Sequence, residues 1–196
     1  MYLEFFGMPG VGKTTARDNL LGRFGYVKIT KVKSILDMEP KYSFMAWFKM
    51  MSIYRFVRGK YYVSNKEWKR FKRSLFVCLY HYYKTRHKCG VYVTDHGIIQ
   101  TLSQLSLLKI ETDIEILGTV LKKLPYENVS YVYLKADSHK VMKRGKKRGK
   151  FERDVNELTE YMLMYDRVGM RLSGVDFIDA TKSIKNIMTQ LDKIIT

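Results

Sequence analysis

The chain has 196 residues, enough for one domain with a full core and too few for two to be expected. Its 36 lysines and arginines against 19 acidic residues leave a formal charge of +17, which fits an anionic substrate, a nucleic-acid or membrane partner, or simply a lysine-rich surface. Two cysteines exclude a disulfide framework, and no apolar run reaches the length of a membrane span or follows a basic leader, so a cytoplasmic protein without a transmembrane segment is expected.

Tyr2–Phe6 is a short run of strand formers suited to a buried parallel strand. From Lys13 to Leu21 the chain favours helix, with Arg17 and Asp18 placed toward solvent. Between them runs Gly-Met-Pro-Gly-Val-Gly-Lys-Thr-Thr, in which Gly7, Gly12, Lys13 and Thr14 fit G-x-x-x-x-G-K-[ST], the phosphate-binding loop. Glycines let backbone N–H groups turn inward, and the helix N-terminus adds partial positive charge. Gly7, Pro9, Gly10, Val11, Gly12, Lys13, Thr14 and Thr15 are therefore expected to hold a nucleoside triphosphate, with Lys13 bridging the β- and γ-phosphates.

A second strand is expected at Tyr26–Thr30. The stretch from about 31 to 90 is too long for a simple connection and reads as a helical insertion on the acceptor side, with helices at Phe44–Val57 and Asn65–Lys88. Its segment YSFMAWFKMMSIYRFVRGKYYV is crowded with aromatics and methionines. It suits a helical core element, a wall or lid over an acceptor, or a membrane-surface helix bearing Lys49, Arg55 and Arg58. The following KEWKRFKRSLFVCLYHYYKTRHK mixes basic and aromatic residues as a nucleic-acid surface does. On a helix, however, Trp68, Phe71, Leu75, Leu79 and Tyr82 form one stripe to bury, with lysines outside.

Val91–Thr94 reads as the third strand, and Asp95, His96 and Gly97 follow it. An aspartate at that strand end would face the phosphates. It would then hold Mg²⁺ together with the Thr14 hydroxyl, or accept a proton from an attacking hydroxyl. The plainer alternative is a cap on the helix that starts near Ile98. His96 reads as a packing or hydrogen-bonding residue before a base. It stands where strand-type motor ATPases carry a water-activating glutamate, and NKEW puts Trp68 where a guanine reader needs aspartate, so water is not the expected acceptor.

Helices are expected at Ile98–Leu107 and Asp113–Lys123, a strand at Val129–Leu134, and a helix from Ser138. In LKADSHKVMKRGKKRGKFERD, Arg144, Arg148 and Arg153 bracket Gly145 and Gly149, which suggests a glycine-hinged lid over about 138–153 closing on the triphosphate. A solvated basic loop is the competing reading. Beyond it come a helix at Val155–Leu172 with Leu158, Met162, Tyr165, Val168 and Leu172 on one stripe, a strand at Asp176–Ile178 and a last helix at Ser183–Ile195. No repeat or linker divides residues 1–196.

Through GMPGVGKTT, VYVTDHG, MKRGKKRGKFER and FIDATKSIKNI, the chain resembles the thymidylate-kinase-like branch of the P-loop nucleoside and nucleotide kinases. The resemblance implies a three-layer α/β fold, a five-stranded parallel sheet with helices on both faces and the phosphate-loop strand at its centre. It also implies that Ala180 and Thr181 lie near the adenine. The activity expected is transfer of the γ-phosphate of ATP, with Mg²⁺, to a nucleoside, a nucleoside monophosphate or a similar small anionic or hydroxyl acceptor. Lys13, Asp95, Arg144, Arg148 and Arg153 would be the catalytic residues, and a homodimer is compatible with this reading. One departure is His96, where thymidylate-binding relatives commonly show arginine. The alternative, a nucleic-acid-binding or regulatory P-loop ATPase, rests on the overall charge and the basic-aromatic run.

Overall fold

The computed structural model describes residues 1–23, 26–28 (backbone), 38–58, 65–101, 129–147, 149, 154–172 and 174–195. Strand β1 (Tyr2–Phe6) is buried along its whole length, its one acidic residue, Glu4, included, as a strand flanked on both sides must be. It pairs in parallel with β3 (Val91–Thr94) on one side and with β4 (Val129–Lys135) on the other. Beyond β4 lies β5 (Val175–Asp179), also parallel, so four strands run β3-β1-β4-β5. The three residues of β2 (Tyr26–Lys28) pair with the outer side of β3.

Because side chains alternate along a strand, Tyr2, Glu4 and Phe6 share one face and Leu3 and Phe5 the other. Both faces are closed to water: Leu3, Phe5 and Phe6 are all 0% exposed. On the first face Phe6 stacks on Tyr133, with ring centroids 5.1 Å apart, and Tyr165 of α5 (Val155–Arg171) packs on the pair. Tyr2 meets Tyr82 of α3 (Asn65–Thr85) on the same face. Helix α1 (Lys13–Leu21) packs on α6 (Ile184–Ile195), and α4 (Ser138–Lys147) on α5.

The stripe expected on α3 is buried throughout, from Trp68 to Tyr82, and its exposed residues include Lys66, Lys69, Arg70 and Arg73. Those aromatics are therefore core, which removes them as a stacking platform for bases. Trp68 meets Tyr54 of α2 (Pro40–Arg58) edge to face at 5.4 Å, and α2 buries Ala46, Met50, Ile53, Tyr54 and Val57. The aromatic insertion is thus in part a core element. Its other face leaves Phe44, Trp47 and Phe48 largely exposed. On α5 Leu158, Tyr165 and Val168, and Leu172 at its C-cap, are buried as the periodicity required, while Met162 is half-buried.

Helix α4 covers Ser138–Lys147 and buries Gly145. That glycine is part of a helix and not the hinge of a loop. Gly149 does take a left-handed φ of 62°. Arg148 and Arg153, the last two residues of the strand expected at Tyr26–Thr30 and the helix at Asp113–Lys123 lie outside the described residues. The helix expected from Ile98 is described to Thr101. No helix of the described residues is long and apolar enough to cross a membrane.

Candidate active site

β1 delivers the chain into the loop at Gly7, whose φ is 142°. A Cβ there would lie 2.5 Å from the Leu134 carbonyl oxygen, so only glycine lets the loop pass this close to β4. Gly10 and Gly12 also have positive φ, 79° and 111°. Gly12 is the N-cap of α1 and offers no side-chain cap, which leaves the helix start open toward a ligand. Gly10, Thr14 and Thr15 are exposed at the mouth of the loop, while Val11 is buried and anchors it.

Lys13 folds back across the loop and donates to the carbonyls of Gly7 at 2.7 Å and Met8 at 2.9 Å. Burial pulls its pKa down to about 8, with the Asp95 charge acting the other way. An ammonium held on carbonyls at a loop lip is well placed to transfer to an incoming phosphate, a better partner than a neutral oxygen.

The polar contacts of the loop and of α1 converge on Asp95, at the end of β3 beside β1. Its Oδ2 accepts from the Thr14 hydroxyl at 2.6 Å, and its Oδ1 accepts from Arg17. The side chains of Arg17 and Asp95 are 15% and 16% exposed. Burial pushes the Asp95 pKa up, but the Thr14 hydroxyl and the Arg17 guanidinium outweigh it and hold the carboxyl below its usual range. The expectation that Arg17 faces solvent is corrected: it sits one turn after Thr14 on the same helix face and turns inward to the carboxylate, also touching Asp18. That i, i+3 spacing was the signal for it.

The capping alternative for Asp95 is also corrected. The helix opening at Ile98 is capped by Glu4 of β1, a carboxylate with 0% exposure. Its Oε2 accepts from Ile98 N–H at 2.8 Å, and its Oε1 from Ile99 and Gln100 N–H at 2.7 and 3.1 Å. The sequence signal for it was an acid inside an apolar strand, since a buried charge requires such partners. His96 is exposed, and its backbone N–H donates to the Thr94 hydroxyl.

Ala180 and Thr181 come together across the sheet from these groups, in the turn after β5. Arg144 donates to both of their carbonyls, at 2.8 and 3.1 Å. In this arrangement Arg144 ties α4 to that turn and does not reach over the loop as a lid residue would. Asp179 accepts from the Thr181 N–H and hydroxyl, which pull its pKa down. Next to the turn opens a cavity of about 570 Å³, with Lys135, Lys140, Asp179 and Thr181 on its wall and Met162 and Phe177 on its apolar side. Among the described residues no cluster of three or more His, Cys, Asp or Glu is arranged to hold a metal by itself. A magnesium ion is nonetheless usually held by one or two protein oxygens and the phosphates, and Thr14 with Asp95 supplies hard oxygen donors of that kind.

A parallel sheet whose first strand runs through a glycine loop into a helix, with a lysine on the loop and a carboxylate at the neighbouring strand's end, defines a P-loop α/β protein. No protein-family model matches the sequence, and no curated protein matches it. Among solved structures, a deoxyadenosine kinase from M. mycoides with bound dATP is similar over 100% of both chains, at a TM-score of 0.58 and 15% identity. The same kinase with dCMP and a flexible dCDP matches over 99% of this chain and 100% of its own, at a TM-score of 0.56 and 16% identity. A gluconokinase from Sinorhizobium meliloti 1021 matches over 99% of this chain and 91% of its own, at 0.52 and 15%. The chain has the fold of these kinases.

Proposed function

We propose that the protein is an ATP-dependent phosphotransferase that moves the γ-phosphate of ATP to a nucleoside, a nucleoside monophosphate or a similar small acceptor. The observation that carries this reading is the 2.6 Å contact between Thr14 of the loop and Asp95 at the end of β3. It joins the two residues a Mg²⁺–triphosphate needs, although they are far apart in sequence. The neighbours that share the fold are a deoxyadenosine kinase and a gluconokinase, which supports phosphoryl transfer without choosing between nucleoside and sugar acceptors.

In this reading the amides from Gly10 to Thr15 bind the phosphates, and Lys13 leaves its two carbonyls to bridge the β- and γ-phosphates. Thr14 and Asp95 are the residues that would hold Mg²⁺, which when bound would supply charge neutralisation on the phosphates. Arg17 keeps Asp95 ionised and aimed. The base lies by Ala180 and Thr181, beside the cavity. Arg148 and Arg153 are proposed as the lid arginines. The described β2 is proposed as the outermost member of a five-stranded sheet of the nucleoside- and nucleotide-kinase type, and the protein is proposed to act in the cytoplasm. The missing glutamate after Asp95 and the burial of the α3 aromatics weigh against a nucleic-acid-driven ATPase.

The test is an acceptor screen with γ-labelled ATP over nucleosides, nucleoside monophosphates, sugars and lipid alcohols. The expected result is label on a nucleoside or a nucleoside monophosphate. Label released only as inorganic phosphate, rising with added nucleic acid, would overturn the proposal.

A further inference from the structure

We infer that Glu4 is a positioning residue that, from inside β1, clamps the turn carrying Asp95 and so sets the metal-side geometry of the site. The inference rests on the reading of Asp95 as the carboxylate on the Mg²⁺ side.

The clamp is built from residues far apart in the chain. Glu4 lies level with Thr94, the residue just before Asp95, in the parallel pairing of β1 with β3. The chain then turns through Asp95, His96 and Gly97. Gly97 is the N-cap of the next helix, since its carbonyl accepts the first helical bond, from Thr101 N–H at 3.1 Å. A glycine N-cap has no side chain to satisfy the following amides. Glu4 does so from the neighbouring strand, taking all three at 2.7 to 3.1 Å with both carboxylate oxygens. The turn is therefore fixed at both ends, by the β3 pairing before it and by Glu4 after it.

Gly97 and Glu4 also require each other. A Cβ on Gly97 would lie 2.2 Å from the Glu4 carboxyl carbon, so any larger residue there displaces the clamp. Among the described residues no cation pairs with Glu4. The titratable groups that feel its charge are Tyr2 and Cys78, whose own pKa values burial raises, the thiol to about 12. A carboxylate buried without a counter-ion is costly to a fold, and nothing in the packing of β1 calls for one. Its partners are backbone amides only, and the turn they belong to holds a site residue at its other end.

The experiment compares wild type with Glu4→Gln at pH 8.5, where the wild-type carboxyl is ionised, so that the variant keeps the shape and loses the charge. Binding of a non-hydrolysable ATP analogue is measured with and without Mg²⁺, alongside hydrogen exchange of the Ile98, Ile99 and Gln100 amides. Without Mg²⁺ the variant is expected to bind within about threefold of wild type, because the loop and Lys13 are untouched. The tightening that Mg²⁺ brings should fall by about tenfold or more, and the three amides should exchange faster. Where phosphoryl transfer is measured with ATP and the acceptor found in the screen, kcat should fall by about 10²-fold, the scale of a misplacement near 1 Å, with acceptor KM little changed. Gly97→Ala should reproduce these losses, and adding Gly97→Ala to Glu4→Ala should make the latter no worse.

Faster amide exchange with the Mg²⁺ effect intact in Glu4→Gln would overturn the inference, because the contact would then be structural only. Asp95→Asn serves as the control. If that variant also keeps the full Mg²⁺ effect, the metal-side reading falls and the clamp falls with it. If only Glu4→Gln keeps it, the clamp alone is wrong. A wild-type chain that transfers phosphate to no acceptor would count against the kinase reading, while the binding and exchange measurements still decide the clamp.

Discussion

Asp95→Asn tests the centre of the site, because the side chain keeps its shape while two interactions change character. In the native chain the carboxylate takes the Thr14 hydroxyl at 2.6 Å and the Arg17 guanidinium. An amide still accepts from one of them but carries no charge for Arg17 or for a metal. Breaking a fully buried pair from one side costs about 3–5 kcal/mol, and an exposed pair is worth about 0–1 kcal/mol. With side chains 15% and 16% exposed and Arg17 retaining Asp18, a loss of about 1–2 kcal/mol lies between these limits. The Asp95 carboxyl is held below its usual range, so its contribution is present above the unfolded pKa and is lost as pH falls through the folded one. The wild-type advantage in urea denaturation should thus be constant from neutral pH down to about 4 and shrink in stronger acid. Activity should fall by at least about 100-fold in kcat, the scale of losing a base or a positioned charge. Rescue by raised Mg²⁺ would assign the loss to metal binding, and failure of rescue would favour the base role. Stopped-assay kcat within threefold of wild type would refute the assignment of Asp95 to the site.

Lys13→Ala should abolish transfer while leaving the fold intact. In wild type, where burial sets the lysine pKa to about 8, triphosphate binding at pH 8.5 should take up protons, read by calorimetry in buffers of different ionisation heat; observed heats that are the same in every buffer would contradict this. Arg144→Ala, which releases the carbonyls of Ala180 and Thr181, should raise ATP KM more than it lowers kcat; a kcat loss near 10³-fold would instead return Arg144 to the role of a closing arginine. Burial pushes the Glu4 pKa up from 4.5 to about 7 against the three amides that lower it, so the folded state binds its proton more tightly than the unfolded chain. Stability should therefore fall by about 3 kcal/mol as pH rises from about 4.5 to 7 and change little above, a slope that Glu4→Gln should lack in denaturation at fixed ionic strength.

Much of this protein is written locally. The run Tyr2–Phe6, the glycines that follow and the helix from Lys13 need only neighbours in sequence to become strand, loop and helix, because their conformations depend on φ freedom and local propensity. The stripes of α3 and α5 are equally legible, since a period of 3.6 residues decides which side a helix must bury. Asp95 was also within reach as a polar residue ending a buried strand. What no local rule contains is the direction a charged side chain takes at the end of an element. Arg17 turned inward because the sheet order sets β3 beside β1, bringing a carboxylate 78 residues away within reach of it. Arg144, expected over the phosphates, found the carbonyls of a turn 36 residues on once β5 lay beside β4. Glu4 reads in sequence as a misplaced acid in a greasy strand, and only its pairing with β3 supplies the amides 94 residues and more away that make it tolerable. In each case the chain fixes the charge, but desolvation makes its partner obligatory, and parallel strand order, which joins distant segments, decides which partner that is.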